Sequence, residues 1–459
     1  MEINRNIFRA YDIRGIALKN EKYPVDLDEE VAYLIGKATG TYLKGKFSAK
    51  NIAVGRDCRI SGPSLQKAYI KGLLETGLDV TDIGLATSPF VYWTVCSKNF
   101  DAGTNISASH NPKEYNGFKI VSKNAHSICG DELQEIYKII VDNKFIQAEK
   151  GTLTEANYDD EYVGELTTKV KLNRPLKVVI DAGNGTAGIM AEKLLKGIGC
   201  DLTSLYCEPD GNFPNHIANP EDIENMHDLI NKVKEIKADI GIGFDGDGDR
   251  VGIVDENGRL YSSDLILLIL ARDLMKRMPG SKIVFEVKTS QIIINELKKI
   301  GAEPIMWKTG HSFIEQKIKE VGAPLAGEVS GHLYFGENYY GFDDALMAAI
   351  KISEITANTN IPFSEHFKDI PESIISPELK VPCSDDKKFD VVKKITEHFT
   401  SLYDCITIDG VRIKFDEISW AAIRASNTSP NLTLRFEAKS QEQMDEIQKI
   451  VYDALNPML

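Results

Sequence analysis

The sequence predicts an α/β protein: three similar α/β domains with mixed, mostly parallel sheets, then a C-terminal α+β domain. Three observations carry this. The chain has 459 residues, too many for one hydrophobic core. One layout recurs three times: apolar run, polar turn, amphipathic helix, Gly-x-acid, second apolar run. The residues after about 370 abandon that layout.

The first copy starts at Ile52-Ala53-Val54-Gly55-Arg56-Asp57 and runs to Gly77-Leu78-Asp79-Val80. The second starts at Val178-Val179-Ile180-Asp181-Ala182-Gly183-Asn184 and runs to Gly199-Cys200-Asp201-Leu202. The third starts at Ile283-Val284-Phe285-Glu286-Val287-Lys288-Thr289 and runs to Gly301-Ala302-Glu303-Pro304. Two β-rich runs bracketing one helix make a βαβ unit, and hence a mostly parallel sheet. The glycine after each helix suits a left-handed cap. Each polar turn falls at the carboxyl end of a strand, where α/β proteins place ligand-binding groups. Domains are expected at 1–150, 151–255, 256–368 and 369–459. Pro371, Pro377 and Pro382 mark a linker-like stretch. A helix from Lys387 to Tyr403, three β-like segments (Gly410 to Phe415, Trp420 to Arg424, Leu432 to Glu437) and a helix from Gln441 to Ala454 complete the α+β domain.

Composition narrows the function. Hydrophobic residues make up 42% and charged residues 27%, ordinary for a globular protein. The net charge of −14 argues against nucleic acid as a partner. It leaves room for small anionic substrates in a local basic cleft. The aliphatic run Leu265 to Ala271 falls far short of the ~20 residues a membrane helix needs. The seven cysteines are scattered without a CxxC pair, which suits a reducing compartment and a cytoplasmic location.

Two segments carry chemistry together. Ser107-Ala108-Ser109-His110-Asn111-Pro112 offers a hydroxyl on a tight turn. Asp245-Gly246-Asp247-Gly248-Asp249-Arg250 offers three carboxylates on alternate residues, expected on one face of an extended segment. Hard oxygen ligands suit Mg²⁺. The main rival is an EF-hand loop, with Glu256 at its twelfth position; Arg250 where that loop needs glycine, and strand-like runs flanking the segment, argue against it. A serine needs a base or metal to act as a nucleophile. His110 is a poor candidate for that base, since adjacent side chains on an extended turn point apart. Glu328-Val329-Ser330-Gly331-His332 has groups suited to sugar hydroxyls. Arg424-Ala425-Ser426-Asn427-Thr428-Ser429-Pro430 combines a guanidinium with hydroxyls and turn amides, a phosphate cradle.

With these motifs in this order, the whole chain resembles the α-D-phosphohexomutase superfamily, in its phosphomannomutase/phosphoglucomutase branch. Ser107 to Pro112, continuing through Tyr115-Asn116-Gly117-Phe118-Lys119-Ile120, looks like the phosphoserine loop. Asp245 to Arg250 looks like the metal loop, Gly327 to His332 the sugar loop, and Arg424 to Thr428 the phosphate loop. Phe8 to Gly15 matches the N-terminal signature. Ser107 replaces a frequent threonine and Val329 a common methionine, both mild departures.

The resemblance implies four domains around a central cleft, a phosphoserine at Ser109, and Mg²⁺ held by its phosphate with Asp245, Asp247 and Asp249. Tyr11, Arg14, Lys119, Arg250, Lys288, His311 and His332 would line the cleft. Ser109, His110, Lys119, Arg250 and His332 would form the catalytic group, with Lys119 and His332 transferring protons. Glu328, Ser330, Arg424, Ser426, Asn427 and Thr428 would bind the substrate. The expected reaction is reversible phosphoryl transfer between O1 and O6 of a hexose, through a hexose 1,6-bisphosphate. No motif separates mannose from glucose phosphates or sets an oligomeric state. The alternatives are a phosphoserine-dependent sugar phosphatase and a catalytically silent sugar-phosphate-binding protein. The sugar loop and cradle argue against the first, and the intact Ser109 and aspartates against the second.

Overall fold

The three expected βαβ units are present in the structure, a computed structural model describing residues 3–426 and 429–459. The chain forms two compact units, Met1–Ser263 with Ser330–Glu365, and Asp264–Val329 with His366–Leu459.

In the first unit, strands Asn51–Arg56 and Asp79–Leu85 lie parallel across the helix Gly62–Leu74. Strands Lys177–Asp181 and Asp201–Leu205 do the same across Ala187–Gly197. Unbroken apolar runs make both first strands dry: Ile52, Val54, Val178 and Ile180 are fully buried. Each sheet also has an antiparallel part, and that part carries the site. Ala102–Ile106 runs parallel to Asn51–Arg56 but antiparallel to Tyr115–Ser122, so residues 107–114 close a hairpin end. Ile240–Phe244 runs parallel to Lys177–Asp181 but antiparallel to Val251–Asp255, with Phe244 opposite Val251. Residues 245–250 close that end. The helix Ala345–Ala357 completes this unit, capped by Asp344 through the amides of Leu346 and Met347.

In the second unit, the third βαβ copy pairs Lys282–Glu286 with Glu303–Trp307 across Gln291–Lys299. Leu325–Gly327 extends this sheet, also in parallel. Gly77, Gly199 and Gly301 have φ of 76°, 94° and 81°, the left-handed stops expected after the three helices. The last ninety or so residues form an antiparallel sheet around Trp420–Ala425 and Asn431–Ala438, backed by Lys388–Thr400 and Gln441–Leu455. The proline-marked stretch is not a bare linker, which corrects the sequence reading. Ile374–Ile375 and Leu379–Pro382 both pair with Asn431–Ala438. Prolines are tolerated there because these are short edge pieces, needing few amides for the ladder. No described helix is long and apolar enough to cross a membrane.

Candidate active site

Ser109 sits in the hairpin end between Ala102–Ile106 and Tyr115–Ser122. Its amide donates to the Ser107 hydroxyl at 2.9 Å, and the Asn111 amide to the Ala108 carbonyl at 3.0 Å. These bonds wind the turn so that Ser109 adopts φ of 49°, a left-handed conformation uncommon outside glycine. The buried hydroxyl therefore reaches Asp245, donating to Oδ2 at 2.6 Å. The turn also corrects the expectation for His110. The chain is not extended here, so the His110 ring folds back and its Nδ1 lies 3.2 Å from Ser109 Oγ. Burial, then the positive charges of Arg250 and Arg14, hold His110 well below the usual histidine range, and thus neutral.

The three aspartates converge by a different route from the extended segment expected. Asp245 to Arg250 form a tight turn. The Asp245 amide donates to the Arg250 carbonyl, and the Gly248 amide to the Asp245 carbonyl. Gly248, at φ 73°, supplies the left-handed step. Asp245 Oδ1 in turn accepts the amides of Asp249 and Arg250, each at 3.1 Å. All three carboxylates are buried, with oxygens within 4.8 Å of one another. Burial and the charges of Asp249 and Asp247 push the Asp245 carboxyl well up. Lys119 faces the turn. It donates to Asp247 Oδ2 at 2.7 Å and also pairs with Asp249. Burial works against its ammonium, but these two carboxylates outweigh that and keep it charged. Asp247 Oδ1 and Asp249 Oδ1 are buried without hydrogen-bond partners. Orphaned hard oxygens beside a charge-raised third carboxylate are a donor set suited to a divalent cation.

Arg250 and His332 meet beside this turn. Arg250 Nε donates to His332 Nε2 at 3.0 Å, and His332 Nδ1 lies 2.6 Å from Asp343 Oδ2 and 3.7 Å from Asp249 Oδ1. Arg14 donates to the Asn111 side chain at 2.7 Å and pairs with Asp12. Tyr11, just before the strand Ile13–Ile16, and Ser330 are half-buried. A cavity of about 210 Å³ opens on the loop, lined by residues 109–114 with Asn212, Phe213, Ile217 and Ala218.

The second unit gathers the other candidates. Lys288 pairs with Glu378 at 2.7 Å and stands 3.5 Å from Glu286. Glu328 accepts the Gly310 amide at 2.6 Å, next to half-buried His311. Glu286 accepts from the Thr309 hydroxyl at 2.6 Å and the Val329 amide at 2.8 Å, tying the 309–311 turn to the 328–329 segment. Arg424 lacks a partner acid in its own segment, as read from sequence, but Asp409 supplies one: Nε donates to Oδ2 at 2.9 Å. The same Asp409 oxygen takes the Thr309 amide at 3.0 Å. Ser426 is buried, and its carbonyl is held by the Lys388 ammonium at 2.5 Å. Asn427 and Thr428 lie outside the described residues.

Sequence reasoning missed Arg59, Ser88, Asp343, Glu378 and Asp409. Ser88 donates to Asp247 Oδ2 at 2.6 Å. Arg59 packs beneath the Ser109 loop, and one signal pointed to it: it follows the polar turn at the end of the first strand, where the repeat places functional groups. The others belong to no motif, since each is defined only by the partner it meets in the fold.

Comparison with known proteins agrees with this geometry. Four descriptions of phosphoglucomutase/phosphomannomutase match in succession: alpha/beta/alpha domain I at residues 5–147, domain II at 160–258, domain III at 262–374 and the C-terminal domain at 378–454. A phosphomannomutase/phosphoglucomutase of Pseudomonas syringae pv. tomato is 40% identical, over 98% of this chain and 95% of its own. A phosphoglucomutase of Neisseria gonorrhoeae is 41% identical, over 97% and 96%. A crystal structure of a phosphoglucomutase/phosphomannomutase family protein from Burkholderia thailandensis superposes with a TM-score of 0.91 at 38% identity, covering 99% of both chains. The chain belongs to the phosphoglucomutase/phosphomannomutase family.

Proposed function

We propose that this phosphohexomutase moves a phosphoryl group between O1 and O6 of a hexose by way of phospho-Ser109. The hydrogen bond from Ser109 Oγ to Asp245, inside a buried carboxylate cluster facing Lys119, carries the reading. In the first half-reaction the sugar hydroxyl oxygen bonds to phosphorus and the bond from phosphorus to Ser109 Oγ breaks, giving the hexose 1,6-bisphosphate. In the second, Ser109 Oγ bonds to the other phosphorus as the bond from that phosphorus to its sugar oxygen breaks, and the product monophosphate leaves with a free hydroxyl there.

Lys119 and His332, the two basic side chains set against Asp249, are assigned to proton transfer to and from the reacting hydroxyl. Asp245, Asp247 and Asp249, with the serine phosphate, would hold Mg²⁺, which when bound supplies positive charge to the transferring group. His110, neutral and against Oγ, helps fix the serine rotamer. Arg250 donates to His332 and orients it. Tyr11, Arg14, Lys288, His311, Glu328, Ser330, Arg424, Ser426, Asn427 and Thr428 are assigned to the sugar and to the phosphate not being transferred. The substrates are mannose or glucose phosphates, and the bisphosphate activates by phosphorylating Ser109.

The test is intact-mass analysis after incubation with glucose 1,6-bisphosphate, together with coupled turnover of glucose 1-phosphate and mannose 1-phosphate. One phosphate adduct is expected, lost in Ser109→Ala and accompanied by turnover that EDTA abolishes. An adduct that persists in that variant, or release of inorganic phosphate in place of isomerised sugar, would overturn the reading.

A further inference from the structure

We propose that Arg59 is a positioning residue for phosphoryl transfer: its guanidinium shapes the Ser109 turn and aims the loop's amides at the phosphoryl group. The inference rests on the assignment of Ser109 as the phosphorylated residue.

Arginine has five N–H donors, and here five hydrogen bonds account for them. Nε donates to Asp57 Oδ2 at 3.0 Å. Nη1 donates to the carbonyls of Pro112 at 2.7 Å and Tyr115 at 3.0 Å. Nη2 donates to those of Ser109 at 2.7 Å and Asn111 at 2.6 Å. The side chain is fully buried, with Phe213 5.3 Å away across its face. Asp57 Oδ1 also accepts the Arg59 amide at 2.9 Å, so the fork is held from behind.

Four carbonyls drawn to one point constrain the rest of the loop. In a planar trans peptide, each carbonyl points opposite to the N–H that follows it. With the carbonyls of Ser109 and Pro112 turned to Arg59, the amides of His110 and Lys113 turn away from it. The cavity over this loop is lined by residues 109–114 and not by Arg59. Backbone amides converging beside a left-handed residue form an anion-binding nest. Ser109 is that residue, at φ 49°. The amides of His110 and Lys113 would therefore receive oxygens of the group carried on Ser109.

Asp57 offsets the charge of Arg59, so the contribution is one of geometry. A lysine would keep the charge but not the fork, since its three donors leave a single point.

The experiment uses the full-length protein as wild type, Arg59→Lys, Arg59→Ala and Ser109→Ala. It reads kcat, KM for glucose 1-phosphate, melting temperature and the rate of adduct formation from glucose 1,6-bisphosphate. A displacement of about 1 Å costs about 100-fold in rate. Arg59→Lys is expected to fold, to lose about that much in kcat and in adduct rate, and to keep KM near wild type. Arg59→Ala should do the same or worse; if it does not fold, Arg59→Lys decides. Wild-type adduct rate and kcat in Arg59→Lys would overturn the inference and leave the phosphoserine reading standing. A wild-type adduct that survives Ser109→Ala would overturn both.

Discussion

Gly246→Ala should uncouple the metal loop from Ser109 without unfolding the protein. A Cβ built on Gly246 would lie 2.5 Å from the Ser109 carbonyl oxygen and 3.3 Å from its carbon. Ordinary contact begins near 3.4 Å, so the two loops must part by about 0.9 Å (3.4 − 2.5). The oxygen has nowhere to retreat, because Arg59 Nη2 already holds it at 2.7 Å, the short end of N–H···O distances. The strain therefore falls on the approach of Ser109 Oγ to Asp245, now 2.6 Å. A misplacement near 1 Å costs about 100-fold in rate, and one added methyl costs about 1–3 kcal/mol of stability. Coupled turnover, adduct formation and thermal melting should be measured on the same preparation. The expected result is a cooperative melt at a lower temperature with kcat and adduct rate both down about 100-fold. A wild-type kcat in a folded Gly246→Ala would refute the close coupling of the two loops.

Three other outcomes are expected. Arg424→Ala should raise KM for the sugar phosphate about ten- to hundredfold, since a charge-assisted contact is worth about 1.5–3 kcal/mol; an unchanged KM would remove Arg424 from phosphate binding. Burial raises the Asp344 carboxyl from 3.8 to about 6 although it accepts from Leu346, Met347, Tyr162 and Tyr339. Its folded pKa exceeds its unfolded one, so its stabilising contribution is full below pH 3.8 and lost as pH rises through about 6. This is worth about 3 kcal/mol, and denaturant titrations of Asp344→Asn should lack that pH dependence. Gly45→Ala, in the helix Glu29–Phe47 with nothing within 4 Å of the added methyl, should stabilise by about 0.5–1 kcal/mol with kcat unchanged; a lower melting temperature would refute this.

The readable parts of the protein were those written in adjacent residues. The three βαβ units were legible because each strand, helix and glycine stop lies within about thirty residues. The aspartates of 245–249 were legible as a group because spacing alone brings them close. Their true geometry was not, because the turn is set by Gly248 and by amide bonds to Asp245 Oδ1. The contact of His110 with Ser109 depends on a left-handed residue held by Ser107 and by Arg59, fifty residues away. Glu378 and Asp409 escaped notice for the same reason: what gives them meaning is Lys288 and Arg424. The edge strands at Ile374–Ile375 and Leu379–Pro382 hid behind prolines, whose local message is a break, whereas the partner Asn431–Ala438 lies some fifty residues on.

Glu437 bears on how this chain can be recombined. Its buried carboxylate accepts from the Ser290 hydroxyl at 2.6 Å, the Gln291 amide at 2.7 Å and the Ser373 hydroxyl at 2.6 Å, and from the Trp420 indole. Those donors come from the third βαβ copy, from the stretch before the last sheet and from that sheet itself. A chimaera that exchanges the C-terminal segment for a relative's is therefore not free to cut anywhere. It must bring Ser373 and Trp420 with Glu437, and it must land on a recipient with a hydroxyl at position 290. Otherwise a buried carboxyl group loses one of its hydrogen-bond donors. The last domain is in this sense not a detachable cassette, and its natural splice point lies upstream of Ser373.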